Sequence, residues 1–190
     1  LLNAREGDVL SAIGPLGRGF PSDHAETFPV FIAGGYGVAP LTYLAGRMPS
    51  KGVAFLGART AADVLCVDDF KCLGWQTIVA TEDGSLGIQG RVTDALDTWV
   101  ESYGPPAGSD EKPALEYYGC GPGGMLKAIA DRAISQGCLA WLSLDKHMGC
   151  GVGACLACVQ KVRGLDGAIS WARGCREGPV FDARELVWDE

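Results

Sequence analysis

The sequence predicts an α/β protein built on a doubly wound parallel sheet, with a short segment ahead of the sheet and a small separate module behind it. Three observations carry this. From Phe28 onward, apolar runs of strand length alternate with longer amphipathic runs, the pattern of parallel strands joined by crossover helices. Glycines collect where the apolar runs end, as in "GGYGVAP" and "GCGPGGM". After Met148 the alternation stops, and four of the eight cysteines fall between positions 150 and 175.

The elements follow in order. Asp8–Ile13 reads as a short strand, "GPLGRGF" (Gly14–Phe20) as the turn after it, and Pro21–Thr27 as a polar spacer. "PVFIAGG" is a strand whose unbroken apolar run suits a sheet covered on both faces, and "VAPLTYLAGRM" is its helix. "GVAFLGA" and "AADVLCVDDFKCLG" (Ala61–Gly74) repeat the strand–helix unit. "QTIVAT" is a third strand, followed by the loop "EDGSLGIQG" and the helix "VTDALDTWVESY". The turn-rich linker "GPPAGSDEKP" (Gly104–Pro113) leads to the strand "PALEYYGCG", the helix "GMLKAIADRAISQG" and the strand "LAWLSL". Crossovers in such a sheet are right-handed, and ligands lie at the carboxyl ends of its strands. The chain thus divides at 1–27, 28–147 and 148–190.

Composition narrows the function. Glycine is 28 of 190 residues, about twice its usual ~7% share, which fits a backbone that approaches ligands closely. The net charge of −7 argues against nucleic acid, since phosphate binding needs clustered Lys and Arg. No apolar run approaches the ~18 residues of a membrane span, and no signal peptide is visible. A secreted disulfide scaffold is usually shorter and loop-rich; scattered Cys66, Cys72, Cys120 and Cys138 beside a crowded second set fit a reducing cytoplasm and a metal or redox site.

The crowded set is specific. Cys150, Cys155 and Cys158 are spaced C-x4-C-x2-C in "CGVGACLAC", and Cys175 follows after a further sixteen residues. This is the plant-ferredoxin spacing of a [2Fe–2S] cluster. A loop must wrap the cluster and aim backbone N–H groups at sulfur, and Gly151, Gly153, Ala154 and Ala157 leave room for that. Zinc is the alternative, although its sites favour paired short spacings and Cys175 stands alone in "WARGCREG". A nucleophilic cysteine needs a base, and His147 is the only imidazole nearby.

The glycine loops are weaker signals. Gly34, Gly35, Gly37, Val38 and Pro40 lie between a strand end and a helix start, where a pyrophosphate meets free N–H groups, but Pro40 replaces the last glycine of the dinucleotide fingerprint. Gly119, Cys120, Gly121, Pro122, Gly124 and Met125 form a second such turn, and Arg59 in "GART" ends another strand. For each, a tight turn, a buried thiol or a solvated arginine is the plain reading.

Their order is more telling than any one of them. "GPLGRGF", "GGYGVAP", "GART", "TEDGS", "GCGPGGM", "CGVGACLACV" and "GCREGPVFDARELVW" together resemble the ferredoxin-reductase-like flavoprotein superfamily. Within it they resemble the electron-transfer subunits of class 1B dihydroorotate dehydrogenases, along essentially the whole chain. The resemblance implies a ferredoxin-reductase NAD module (28–147), the remnant of a β-barrel flavin domain (1–27) and a [2Fe–2S] module (148–190). It implies that Cys150, Cys155, Cys158 and Cys175 ligate the cluster. Gly14, Pro15, Leu16 and Gly17 would approach FAD. The two glycine loops and Arg59 would border NAD, with Cys120 near the reacting nicotinamide carbon. It implies a hetero-oligomer, a heterotetramer in such enzymes, with an FMN-containing dihydroorotate dehydrogenase catalytic subunit in pyrimidine biosynthesis. The family's barrel motifs for FAD are missing, so the chain is expected to be a fragment that begins inside the barrel, the alternative being a lost barrel domain with impaired FAD binding. A ferredoxin–NAD(P) reductase or hydrogenase-associated subunit is the nearest alternative, and a zinc-binding regulatory α/β protein the non-enzyme one.

Overall fold

The computed structural model describes residues 3–22, 26–103 and 113–188. Its centre is a sheet of β1 (Phe28–Gly34), β2 (Val53–Ala58), β3 (Gln76–Thr81), β4 (Ile88–Gln89), β5 (Leu115–Cys120), β6 (Leu139–Ser143) and β9 (Val180–Asp182), in the order β4-β3-β2-β1-β5-β6-β9. All pairings are parallel except β6 with β9. The helices are α1 (Val38–Ala45), α2 (Val67–Cys72), α3 (Val92–Ser102) and α4 (Gly123–Gln136). A hairpin of β7 (Val159–Arg163) and β8 (Ile169–Arg173) stands apart from the sheet.

Alternation along the strands builds two cores. Val30, Ile32, Phe55 and Tyr117 face Leu96, Leu126 and Ile129 of α3 and α4, while Phe31, Ala33, Leu56 and Tyr118 face Leu41, Leu44 and Phe70 of α1 and α2. Full burial of each large apolar side chain is worth about 1.5–3 kcal/mol. Phe31 and Trp75 pack with ring centroids 4.2 Å apart and planes tilted by 34°, and the Trp75 indole N–H donates to the Ala45 carbonyl that ends α1 at 3.3 Å. The chain runs outward from β1 through β2 to β3, then returns to β5 on β1's other side. The crevice above β1 and β5 is therefore the topological switch point.

Four local expectations need correction. Asp8–Ile13 forms no strand; Val9 is 95% exposed, and no described segment lies alongside to complete a ladder. Ala61–Gly74 is not one helix: a 3₁₀ turn at Ala61–Asp63 precedes α2 by three residues. The Ala61 N–H donates to Ser85 Oγ at 2.7 Å, Thr60 Oγ1 to Asp63 at 3.0 Å, and Cys66 turns left-handed at φ 60°, so tertiary tethers override helix propensity. The first helix ends at Ala45 rather than Met48. The loop "EDGSLGIQG" carries the short strand β4. The linker Gly104–Pro113 lies, but for Pro113, outside the described residues. The C-terminal segment returns to the sheet through β9, and Ala172, Phe181, Ala183 and Leu186 join the α3/α4 core. No helix among the described residues is long and apolar enough to cross a membrane.

Candidate functional site

The two glycine loops meet at the switch point and interlock. β1 and β5 pair through Ala33 and Cys120, which brings Gly34–Gly37 against Cys120–Met125. A Cβ on Gly37 would fall 2.1 Å from the Cys120 carbonyl oxygen, and one on Gly34 2.7 Å from Pro122 Cδ. Met125 reaches back across both loops; a Cβ on Gly121 would lie 2.6 Å from its Cε. Val38 is buried beneath the loop and Pro40 is exposed on α1. Gly35 and Gly124 face open space, as backbone over which a ligand passes would.

Other candidates sort differently. Gly119 points away from the crevice: its Cβ would meet Leu142 at 2.8 Å and Ile129 at 3.1 Å, so the glycine lets α4 pack on β5. Cys120 is buried at the crevice floor opposite Ser143 of β6. Burial pushes its thiol up, the Ser143 hydroxyl partly offsets this, and Asp145 adds to the rise. Arg59 is exposed beyond β2, its carbonyl accepting the Asp83 N–H at 3.2 Å. Ala33, Gly35, Val38, Leu56, Gly57 and Asp63 help line a cavity of about 10 Å³ at the ends of β1 and β2.

The second cluster of candidates is the thiol cradle. Gly151 and Gly153 have φ of +70° and +83°, values that L side chains rarely adopt, and these turns fold the loop back on its first cysteine. The N–H groups of Ala154 and Cys155 then donate to Cys150 Sγ at 3.3 and 3.4 Å. Backbone N–H groups of Cys155, Val152 and Ala154 draw the Cys150 thiol down to about 6. Cys158 and Cys175 are buried, and the Gly174 N–H donates to the Cys158 carbonyl at 2.9 Å. The Cys175 backbone N–H lowers the Cys158 thiol, whereas burial and Cys158 raise Cys175.

Four cysteines carried by the 150–158 loop and the turn at Cys175, with backbone N–H groups donating to Cys150 Sγ, suit a dinuclear cluster, which takes two ligands per iron.

The turn "GPLGRGF" docks on this cradle. The Arg18 N–H donates to the Gly178 carbonyl at 2.5 Å, Arg18 bridges Pro179, and a Cβ on Gly17 would lie 1.9 Å from Gly178 O. Leu16 Cδ1 sits 3.3 Å from where a Gly151 Cβ would be. Gly14 and Pro15 precede Leu16 in the turn, and nothing lies within 4 Å of where a Gly14 Cβ would be. Ser143, Arg173 and Glu177 were not among the sequence candidates. Arg173 and Glu177 flank Cys175 in "WARGCREG", and charge packed beside a ligand was the available signal. Arg173 donates to Glu177 at 2.5 Å, and its hydrogen bonds hold the Glu177 carboxyl down at about 2.

A reductase-like α/β sheet joined to a four-thiol cradle defines an iron–sulfur electron-transfer protein. Residues 145–187 match the iron–sulfur cluster binding domain of dihydroorotate dehydrogenase B. The chain is 41% identical to the dihydroorotate dehydrogenase B (NAD(+)) electron transfer subunit of Geobacillus kaustophilus, over 98% of this chain and 68% of that protein. It is 36% identical to the subunit of the same name from Desulforamulus reducens, over 100% of this chain and 70% of that one. The chain belongs to the family of dihydroorotate dehydrogenase B electron transfer subunits. A solved structure of an NADH-dependent reduced ferredoxin–NADP oxidoreductase, described for flavin-based electron bifurcation, superposes with a TM-score of 0.75 at 32% identity. That match covers 97% of this chain, which spans 63% of the length of the solved one.

Proposed function

We propose that this chain acts as a dihydroorotate dehydrogenase electron-transfer subunit, joining a nicotinamide site to a [2Fe–2S] exit in a hetero-oligomer with an FMN-bearing catalytic subunit. In this reading 28–147 bind NAD, 148–190 bind the cluster, and 1–27 end a flavin barrel. The observation that carries it is the contact between two predicted sites: "GPLGRGF", the expected flavin turn, lies directly on the expected cluster loop through Leu16 and Gly151.

When bound, the flavin supplies the exchange between two-electron and one-electron chemistry, and the cluster supplies one-electron transfer. The chain's own residues do the positioning. The interlocked glycine loops fix a crevice floor with Cys120 at its base, and Gly35 and Gly124 leave backbone open to a pyrophosphate. Cys150, Cys155, Cys158 and Cys175 would hold the irons, with the Ala154 and Cys155 N–H groups on the Cys150 sulfur.

The test is to purify the full-length protein with its catalytic partner, assay iron and sulfide, and measure dihydroorotate-dependent NAD reduction. Two irons and two sulfides per chain with that activity support the reading. A loaded protein that forms no complex and instead reduces ferredoxin with NAD(P)H favours the reductase alternative, to which the bifurcating structure's similarity points.

A further inference from the structure

The segments that supply the thiols, 150–158 and the turn at 173–178, are tied from outside by one side chain. Arg173 ends β8, and Glu177 grips it: the guanidinium Nε donates to Oε2 at 3.0 Å and Nη2 to Oε1 at 2.5 Å. The Arg173 backbone N–H donates to the same carboxylate at 2.7 Å. Such a two-pronged grip sets the guanidinium plane in advance. The remaining nitrogen, Nη1, reaches the Gly153 carbonyl in the thiol loop at 3.4 Å. Gly153 makes room for this, since a Cβ there would lie 3.3 Å from Nη1 and 2.9 Å from Arg176 Cγ. Arg173 also lines a groove together with Leu156, which sits between two of the cysteines at φ 58°.

We propose that Arg173 is a positioning residue for the cluster: held by Glu177, it straps the 150–155 loop down and fixes a positive charge beside the loop whose thiols would hold the irons. The proposal rests on the [2Fe–2S] reading of the four thiols. Hydrogen bonds, net charge and exposure set the potential of such a cluster. Reduction adds one negative charge to it, and a fixed neighbouring cation stabilises that form more than the oxidised one. Arg173 therefore raises the reduction potential, while Glu177 on the guanidinium's other prongs opposes that effect and supports the geometry. Groups in this outer layer commonly change metal retention by about 10–100-fold.

The test uses the full-length, cluster-loaded protein. Midpoint potential is read by an electron paramagnetic resonance redox titration, and cluster retention by chelator-driven loss of visible absorbance. Arg173→Gln is expected to lower the potential and to speed cluster loss about tenfold. Arg173→Lys is expected to keep the potential near the parent's while still losing cluster faster, because the charge remains and the fork does not. Glu177→Gln is expected to move the potential in the opposite direction to Arg173→Gln, which a merely structural role does not produce. Parental potential and retention in Arg173→Gln overturn the proposal, as does a shift of the same sign in both neutral variants. If Arg173→Gln does not fold, Arg173→Lys decides: a parental loss rate overturns the strap and a faster one supports it. Iron and sulfide analysis keeps the two failures apart. A parent without iron defeats the cluster reading itself, whereas a loaded parent with indifferent variants defeats only the role of Arg173.

Discussion

At the switch point of the sheet, Gly37 leaves out a Cβ because the Cys120 carbonyl already occupies that space, at 2.1 Å. In the thiol cradle, Gly151 and Gly153 are glycines because the backbone turns left-handed there, at +70° and +83°. The first region is packed backbone on backbone over two buried cores. The second is a partly exposed loop whose inward surface is a set of N–H groups facing sulfur. The same residue type thus serves interlocking in one place and curvature in the other. The crevice is made by folding, while the cradle needs a ligand to complete it.

The harshest way to break that contrast is Gly37→Ala. Its methyl meets backbone rather than a mobile side-chain tip, so β1 and β5 must separate or the α1 start must shift. The expected loss is about 3 kcal/mol or more of unfolding free energy, read by urea denaturation. A variant within ~1 kcal/mol of the parent shows that the loops are not interlocked as described.

Cys155→Ala tests the other side. Cys155 is exposed and belongs to neither core, so visible cluster absorbance should vanish while far-ultraviolet circular dichroism keeps the sheet's signature. Retained absorbance removes Cys155 from the ligand set. Gly153→Ala is milder. A left-handed non-glycine residue costs about 1–2 kcal/mol, and Arg176 Cγ, 2.9 Å from the new methyl, can move aside. Cluster loss to a chelator should quicken, and the urea midpoint of the cluster-free protein should fall by the equivalent of that cost of about 1–2 kcal/mol, short of the loss in Gly37→Ala.

The same contrast explains what could be read from sequence. β1, β2 and β5 were legible because strands covered on both faces need unbroken apolar runs, and "VFIA", "VAFL" and "LEYYGC" are close to that. The thiol loop was legible because spacing alone encodes it. What escaped depends on distant partners. The break in Ala61–Gly74 is set by Ser85, twenty-four positions on, and β9 is a strand because β6 offers an antiparallel edge. Gly119 looked like a ligand glycine, and only the fold shows Leu142 and Ile129 waiting where its side chain would be. The charge of Arg173 beside Cys175 is legible in "WARGCREG", but its reach is not, because its target, Gly153, lies twenty residues earlier.

The finest distinction between the two regions is in their thiols, and alkylation against pH resolves it. Cys120 loses hydration on burial, so its thiol rises above the ordinary value of 9.0. Cys150, wrapped in N–H donors, falls from that value to about 6. The two shifts have opposite consequences for stability. A raised folded value favours folding below pH 9.0 and loses that contribution as pH climbs through the higher value; a lowered one contributes above 9.0 and loses it as pH falls through about 6. In cluster-free protein, iodoacetamide should label Cys150 at a rate that is half-maximal near pH 6 and label Cys120 slowly even at pH 9. In cluster-loaded protein, Cys150 should be protected and Cys120 unchanged, because ligation to iron alters only the first. Adding NAD should then slow Cys120 alone, if it forms the crevice floor on which the nicotinamide rests. Equal labelling of the two thiols at neutral pH would show that backbone N–H groups do not activate the cradle and that burial does not quiet the crevice.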